Sequence, residues 1–238
     1  MPNGLQTAKS EAPSGAVEPA PGWPQQSDQG NVREKPLADL RFRALLGGDG
    51  WAALPDAVQR RFSKRVEDGV TVIYSGAITK FVLNRAGWML CQLGRLIGGP
   101  LPLSFDTGVP TVVTVTEDMA RGGQVWTRLY TNRRGFPQVS HSSKRFAGPT
   151  GLEEHVGRGV GMTLKIAAEN GMLVFRSARF FVEAGRVRFY LPRWLSPGAL
   201  RVTHRELTLT RFEYALDIVH PLFGHILHQA AEYEEGLT

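Results

Sequence analysis

At 238 residues, 42% of them apolar, the chain can bury a proper core as one large domain or two small ones. Its net charge of +6 and pI near 9.8 favour anionic partners only weakly, and its lone cysteine, Cys91, excludes an internal disulfide. No apolar run approaches the roughly 20 residues that span a bilayer, and the first residues lack the basic-then-apolar order of a secretory signal, so a cytoplasmic location is expected.

Residues 1–36 hold six prolines and four glycines, with Trp23 the only aromatic. Such a segment buries too little to offset the entropy of ordering, so a disordered tail is expected over 1–36 and a single domain over 37–236. The tail carries three basic and four acidic residues, which leaves +7 on the rest. Leu40, Phe42, Leu45 and Leu46 lead at helical spacing to Gly47-Gly48, and Trp51, Leu54, Val58 and Phe62 continue after that break. Pro55 suits the first turn of a second helix. Two short helices closing one end of a core are expected, then a short strand at 70–74.

Residues 78–97 sort as a helix when projected at about 100° per residue. Val82, Leu83, Ala86, Met89, Leu90, Leu93, Leu96 and Ile97 share one side, and Lys80, Asn84, Arg85, Gln92 and Arg95 the other, with Phe81 and Trp88 inside the basic side. The plain expectation is a helix covering a sheet. The sharper one is peripheral membrane contact through Phe81 and Trp88, since a basic face with aromatics suits anionic lipid.

After Pro110 the spacing predicts strands at 111–117, 124–131, 137–147, 161–168, 172–182 and 186–191, a meander with short turns. Asn170-Gly171 is the strongest hairpin signal, and pairs Glu169 with Met172, Ile166 with Phe175, Lys165 with Arg176 and Met162 with Arg179. A turn at Glu183-Ala184-Gly185 pairs Phe181 with Val187 and Arg179 with Phe189. Both turns then yield one inner face, holding Met162, Leu164, Ile166, Leu173, Phe175, Phe181, Val187, Phe189 and Leu191. Arg179 falls on it and calls for a carboxylate partner or a wet cavity. Lys165, Arg176, Arg186 and Arg188 make the outer face basic. Finally, Thr208, Thr210, Phe212, Tyr214, Leu216 and Ile218 alternate with polar residues from Glu206 onward, His220 to Gly224 break the pattern, and 225–234 return, so a long hairpin is expected.

Phe42-Arg43-Ala44-Leu45-Leu46-Gly47, Trp126-Thr127-Arg128, Leu152-Glu153-Glu154 with Gly157, Leu191-Pro192, Glu206 and Pro221-Leu222-Phe223-Gly224 occur in an order that resembles the family of domains of unknown function DUF4166. The resemblance covers roughly 37–235. It implies a bacterial protein type that is sometimes the C-terminal part of chains with dehydrogenase-like NAD(P)-binding domains, and it implies no established activity. Where it leads one to expect a tyrosine in the final strand, this chain has His228.

Trp126, Arg128 and Tyr130 share a strand face, which would set an aromatic wall beside a fixed cation, suited to a carboxylate or phosphate. The packing alternative is Arg128 paired with Glu206 or Glu154. His220, His225 and His228 lack a common face and a fixed acidic or cysteine ligand, so no metal is expected. Glu153-Glu154-His155 could supply an acid and a base, but neighbours on a strand diverge, which favours a turn or solvated edge. Gly157, Gly159 and Gly161 precede a strand, which suits a bend or bulge and not a dinucleotide loop. Neither a cofactor nor nucleic acid is expected.

The expected fold is α+β, with N-terminal helices packed on a strongly curved antiparallel β-sheet or partly closed β-barrel. The leading function is a non-catalytic binding module for an amphipathic or lipid-like ligand, with Trp126, Arg128, Arg179 and Glu206 as its ligand-binding residues. Two alternatives stand beside it: an enzyme or accessory domain to an NAD(P)-dependent oxidoreductase using Glu206 or Glu154, and a protein-interaction domain using the basic sheet face.

Overall fold

The computed structural model describes residues 38–66, 69–99, 101–103 and 106–235. The tail expected over residues 1–36 lies outside them. Two helices come first, α1 (Arg41–Ala52), kinked at Gly47 where φ is 73°, and α2 (Asp56–Phe62), entered through Pro55. Then follow β1 (Val72–Leu83), α3 (Arg85–Gly94) and a 3-10 turn at Arg95–Ile97. The remaining strands are β2 (Pro110–Glu117), β3 (Gly123–Tyr130), β4 (Gln138–Arg145), β5 (Glu153–Gly157), β6 (Val160–Glu169), β7 (Met172–Ala184), β8 (Val187–Tyr190), β9 (Ala199–Glu206), β10 (Arg211–His220) and β11 (Gly224–Glu235).

All described strands belong to one antiparallel sheet, in the order β6-β5-β4-β3-β2-β1-β11-β10-β9-β7-β8, and a further β6–β7 pairing closes ten of them into a ring. β7 pairs with β6 along its length and offers its other edge twice, to β9 at Leu173–Arg176 and to β8 at Phe181–Ala184. Closure leaves few free edges among the described strands, and ten strands enclose a wider lumen than the roughly eight that side chains alone can fill. The fold is therefore mostly β. The α+β expectation holds only in that, among the described residues, three short α-helices accompany the sheet, and they stand at its ends.

One end is closed by α1 and α2. Phe42, fully buried, meets Phe62, Phe146 and Phe175 edge-on with ring centroids 5.0–6.3 Å apart. These aromatic pairs join both helices to the barrel floor, each contributing about 1 kcal/mol beyond its buried area. The opposite end is crossed by α3. Asn84 caps this helix by accepting the Gly87 N–H on Oδ1 (2.8 Å) and donates from Nδ2 to the carbonyls of Phe223 (3.0 Å) and His225 (2.9 Å), which ties α3 to the β10–β11 turn. Its far end reaches β5, where a Cβ on Gly157 would sit 2.0 Å from the Ile97 carbonyl oxygen.

Several sequence expectations are corrected here. The helix expected from Ile78 starts at Arg85, because β1 is paired on both sides, with β2 over Val72–Ala77 and with β11 as far as Leu83. Over those six residues the ladder to β11 outweighs a helical stripe too short to be told from a strand. On α3 itself the buried residues are Gly87 and Cys91, whereas Met89 and Leu93 of the expected inner stripe, and Leu96 in the turn that follows, are exposed. Gly87 decides this rotation, because a Cβ there would lie 1.9 Å from the Ile226 carbonyl oxygen, and only glycine lets the helix backbone settle so close to β11. The strand expected from Glu206 onward is two strands, with Glu206 ending β9 and 207–210 forming a turn that preserves the alternation.

The Asn170-Gly171 hairpin has the expected pairs from Glu169↔Met172 to Leu164↔Ser177, with Asn170 and Gly171 both at positive φ. A bulge then intervenes, and Thr163, not Met162, faces Arg179. This one-residue slip moves Arg179 to the outer face, where its guanidinium stacks 4.1 Å over the Tyr190 ring. The next turn is Gly185-Arg186, pairing Ala184 with Val187, so Val187 and Phe189 are exposed and leave the expected inner face.

Candidate functional site

Strand alternation builds the interior. β3 aims Gln124, Trp126, Arg128 and Tyr130 inward, β10 supplies Tyr214 and Ile218, β11 supplies Gln229 and Tyr233, and β5 supplies Glu154. They surround a cavity of about 210 Å³ that reaches from Arg61 and Phe62 at the α2 end to Leu90, Gly94 and Ile97 beneath α3. That is larger than the roughly 150 Å³ void known to hold benzene and smaller than the ~300–1,000 Å³ of drug-sized pockets, a size suited to a slender occupant. Most of the lining is apolar, and its polar groups fall at mid-barrel and at the α2 end.

The mid-barrel group centres on Glu154. Lys144 Nζ donates to Glu154 Oε1 at 3.2 Å, while Arg128 Nη2 is 3.8 Å from the same oxygen, beyond hydrogen-bonding distance. Arg128 Nη1 instead donates to Ser142 Oγ at 3.0 Å. Burial opposes charge on Glu154, but Lys144 and Arg128 together outweigh it and hold the carboxyl below its usual range. Burial pulls the Lys144 ammonium down, and Glu154 offsets this only in part. Two cations thus share one carboxylate. The guanidinium carries five donors and, among the described residues, commits one of them to a hydrogen bond, while 17% of its side chain stays accessible as part of the cavity lining.

Aromatic rings complete this wall. Lys144 Nζ lies 4.6 Å above the Trp126 ring, and the rings of Trp126 and Tyr214 are 6.2 Å apart. Burial pushes the phenols of Tyr130, Tyr214 and Tyr233 up, so all three stay neutral hydroxyls. Tyr233 reaches Thr111 Oγ1 at 3.5 Å, but the buried Tyr214 hydroxyl has no hydrogen-bond partner among the described residues. An orphaned buried hydroxyl beside a guanidinium with spare donors stands out, because buried polar groups are normally paired.

A second ionic group closes the α2 end. Arg61, buried, donates from Nη1 to Glu206 Oε2 (2.8 Å) and from Nε to Glu235 Oε1 (2.7 Å), and its guanidinium stacks 4.0 Å over Phe212. Nη1 also lies 3.3 Å from His204 Nε2, which marks that nitrogen as an acceptor. Burial drives His204 well below the usual imidazole range, and the Arg61 charge acts in the same direction. The ring is therefore neutral when folded, and the unfolded chain binds the extra proton. Stability should accordingly fall as the pH drops below about 6.5. Urea midpoints between pH 7 and 5 should show this loss, and His204→Gln should reduce the slope by up to about one proton, leaving the smaller part due to His155, whose imidazole burial also lowers.

Of the four residues singled out from the sequence, Trp126 and Arg128 meet at the cavity. Glu206 does not join them, since Arg61 holds it at the end of β9, and Arg179 lies outside the barrel. Glu153, Glu154 and His155 diverge as expected, but on strand β5 and not in a turn. Glu154 points in, and Glu153 is buried outside under Arg188, whose guanidinium also binds Glu183. His228 faces outward and pairs with Asp217 at 2.7 Å, while His220 Nδ1 accepts the Leu222 N–H. Phe81 packs on the apolar cluster that includes Ile78 and Val109, so Trp88 alone of the two aromatics is an exposed surface residue. Arg61, Lys144 and His204 were missed: no pattern in a seven-residue helix marks Arg61, and Lys144 reads as the polar phase of an amphipathic strand.

Barrel, cavity and mid-barrel charges together define a closed antiparallel β-barrel with a lined interior. The chain belongs to the family described as Domain of unknown function (DUF4166), which matches residues 54–233. The match takes in the Trp126, Glu154 and Pro221 segments and leaves out Phe42–Gly47. No curated protein and no solved structure matches the chain.

Proposed function

We propose that the barrel is a non-catalytic binding module for a slender amphipathic ligand with an anionic head group. Arg128 and Tyr214 hold the head group at mid-barrel, and the apolar part runs toward α3. The observation that carries this reading is the interior imbalance of charge and hydrogen bonding: among the described residues, Arg128 and Lys144 face Glu154 alone, and the Tyr214 hydroxyl is unpartnered beside a cavity lined mostly by apolar side chains. A carboxylate would accept from both Arg128 and Tyr214, and charge-assisted bonds of this kind are roughly twice as strong as neutral ones. The test uses a medium-chain fatty acid and its methyl ester, with binding read by calorimetry. The acid should bind at least tenfold more tightly than the ester, and Arg128→Met should erase that difference. Equal affinity for acid and ester, or no binding of either, would refute the reading.

An acid–base enzyme, alone or as an accessory domain to an NAD(P)-dependent oxidoreductase, would place its chemistry on Glu154. Two cations stabilise that carboxylate, which makes it a weak base and a poor store for a proton, and this favours binding over catalysis. The basic outer face is the basis of the third reading, an interaction domain. Its charges are substantially neutralised in place, since Glu169 binds Arg176 through both carboxylate oxygens and lies 3.6 Å from Arg201, and Glu213 pairs with Arg205.

A further inference from the structure

We infer that the α3 end of the barrel docks on an anionic phospholipid surface. The antiparallel register brings to this end α3, the β3–β4 loop, the β8–β9 connection and the β10–β11 turn. Each presents large apolar side chains to solvent: Trp88, Met89 and Leu93 on α3, Phe136 in the β3–β4 loop, Trp194 after β8, and Leu222 in the β10–β11 turn, the last three 93%, 76% and 81% exposed. Exposed apolar residues scattered singly need no explanation, and Leu40, Met119 and Leu209 are such residues at the opposite end, but exposed tryptophan and phenylalanine are confined, among the described residues, to the α3 end. The opposite end keeps its aromatics inside, in the Phe42 cluster.

Charge identifies the partner. Arg85, Arg95, Arg133, Arg134 and Arg193 are exposed among these same segments, and Asp106 is the one acidic residue among the described connections at this end. Arginines interleaved with tryptophan, leucine and phenylalanine tips suit a bilayer with anionic head groups, in which the apolar tips enter the interface and the guanidinium groups meet phosphates. α3 carries the feature that distinguishes this surface from a plain protein-binding patch. Its inner side, Leu90 and Gly94, forms cavity wall, and its outer side is the exposed apolar face, so one short helix separates the barrel interior from the docked surface. The inference requires no occupant of the cavity and stands apart from the ligand reading.

The test is co-sedimentation of the full chain with vesicles of phosphatidylcholine alone or with about a third phosphatidylserine, where anionic surface charge should raise binding. Binding is expected to the anionic vesicles, at least tenfold weaker to the neutral ones, and reduced at least tenfold by Met89→Glu with Leu93→Glu. Both substituted side chains are already exposed, and an unchanged circular dichroism spectrum checks that the barrel is intact. Leu209→Glu, an exposed position at the other end, should bind as the parent does. No binding to anionic vesicles, or equal binding by the Met89→Glu/Leu93→Glu protein, would overturn the inference. So would a dimer that these substitutions dissolve in a protein that ignores vesicles, since the apolar end would then be covered by a second copy.

Discussion

Replacing Glu154 with glutamine should destabilise the barrel by about 3–5 kcal/mol at pH 7, the usual result of removing one partner from a buried ion pair. The substitution is isosteric, so no cavity contributes. What remains is Arg128 and Lys144, both within about 4 Å of the lost charge, with no carboxylate between them. The cost should depend on pH in a defined direction. Lys144 already loses its proton more readily than a free lysine, because burial disfavours the ammonium, and without Glu154 that tendency grows. The unfolded chain then holds more protons than the folded one over the window from the depressed folded value up to about 10.4, so stability rises with pH across it. Denaturant titrations should therefore show the deficit of Glu154→Gln narrowing between pH 7 and pH 10. A uniform deficit at both pH values would mean that Lys144 does not respond to Glu154.

The second large effect is expected at Arg61. Arg61→Met keeps much of the apolar stem but removes the cation that joins α2 to the ends of β9 and β11 through Glu206 and Glu235. The loss should be about 3 kcal/mol, toward the low end for a broken buried pair because Lys64 still lies 3.6 Å from Glu235. Coupling is the sharper measurement. In a double-mutant cycle with Glu206→Gln, an interaction energy above about 1 kcal/mol is expected, since the two side chains share a hydrogen bond of 2.8 Å. Additive losses would mean that Arg61 acts through Glu235 and its stacking on Phe212, and not through Glu206.

What could be read from the sequence was local. Asn170-Gly171 fixed its hairpin because a two-residue turn with positive φ at both positions leaves one register open, and the alternation Phe212, Tyr214, Leu216, Ile218 marked the inward phase of β10 even though its start was misplaced. Trp126, Arg128 and Tyr130 were legible as one face for the same reason. The failures are equally specific. A single bulge after Leu164 turned Arg179 outward, and nothing in the residues between Ser177 and Phe180 announces it. Gly87 set the rotation of α3 by a close approach to Ile226 that exists only once β11 is in place. Closure of the ring depends on the β6–β7 hairpin also pairing with β9, a contact between distant segments that no short-range pattern encodes. The charged interior was half visible. Arg128 carried the signal of an aromatic neighbour at i−2, and of the two glutamates expected to pair with it the structure selects Glu154, although that residue's five-residue strand reads as a turn.

The central claim, that the barrel interior receives an amphipathic anion, is most directly tested by native mass spectrometry of the protein purified without denaturant, beside Arg128→Met. The expected result is a parent protein carrying a small acidic amphiphile that is displaced by added fatty acid, and an Arg128→Met protein that is folded and empty. A parent protein that remains at its bare polypeptide mass after exposure to excess fatty acid would contradict it.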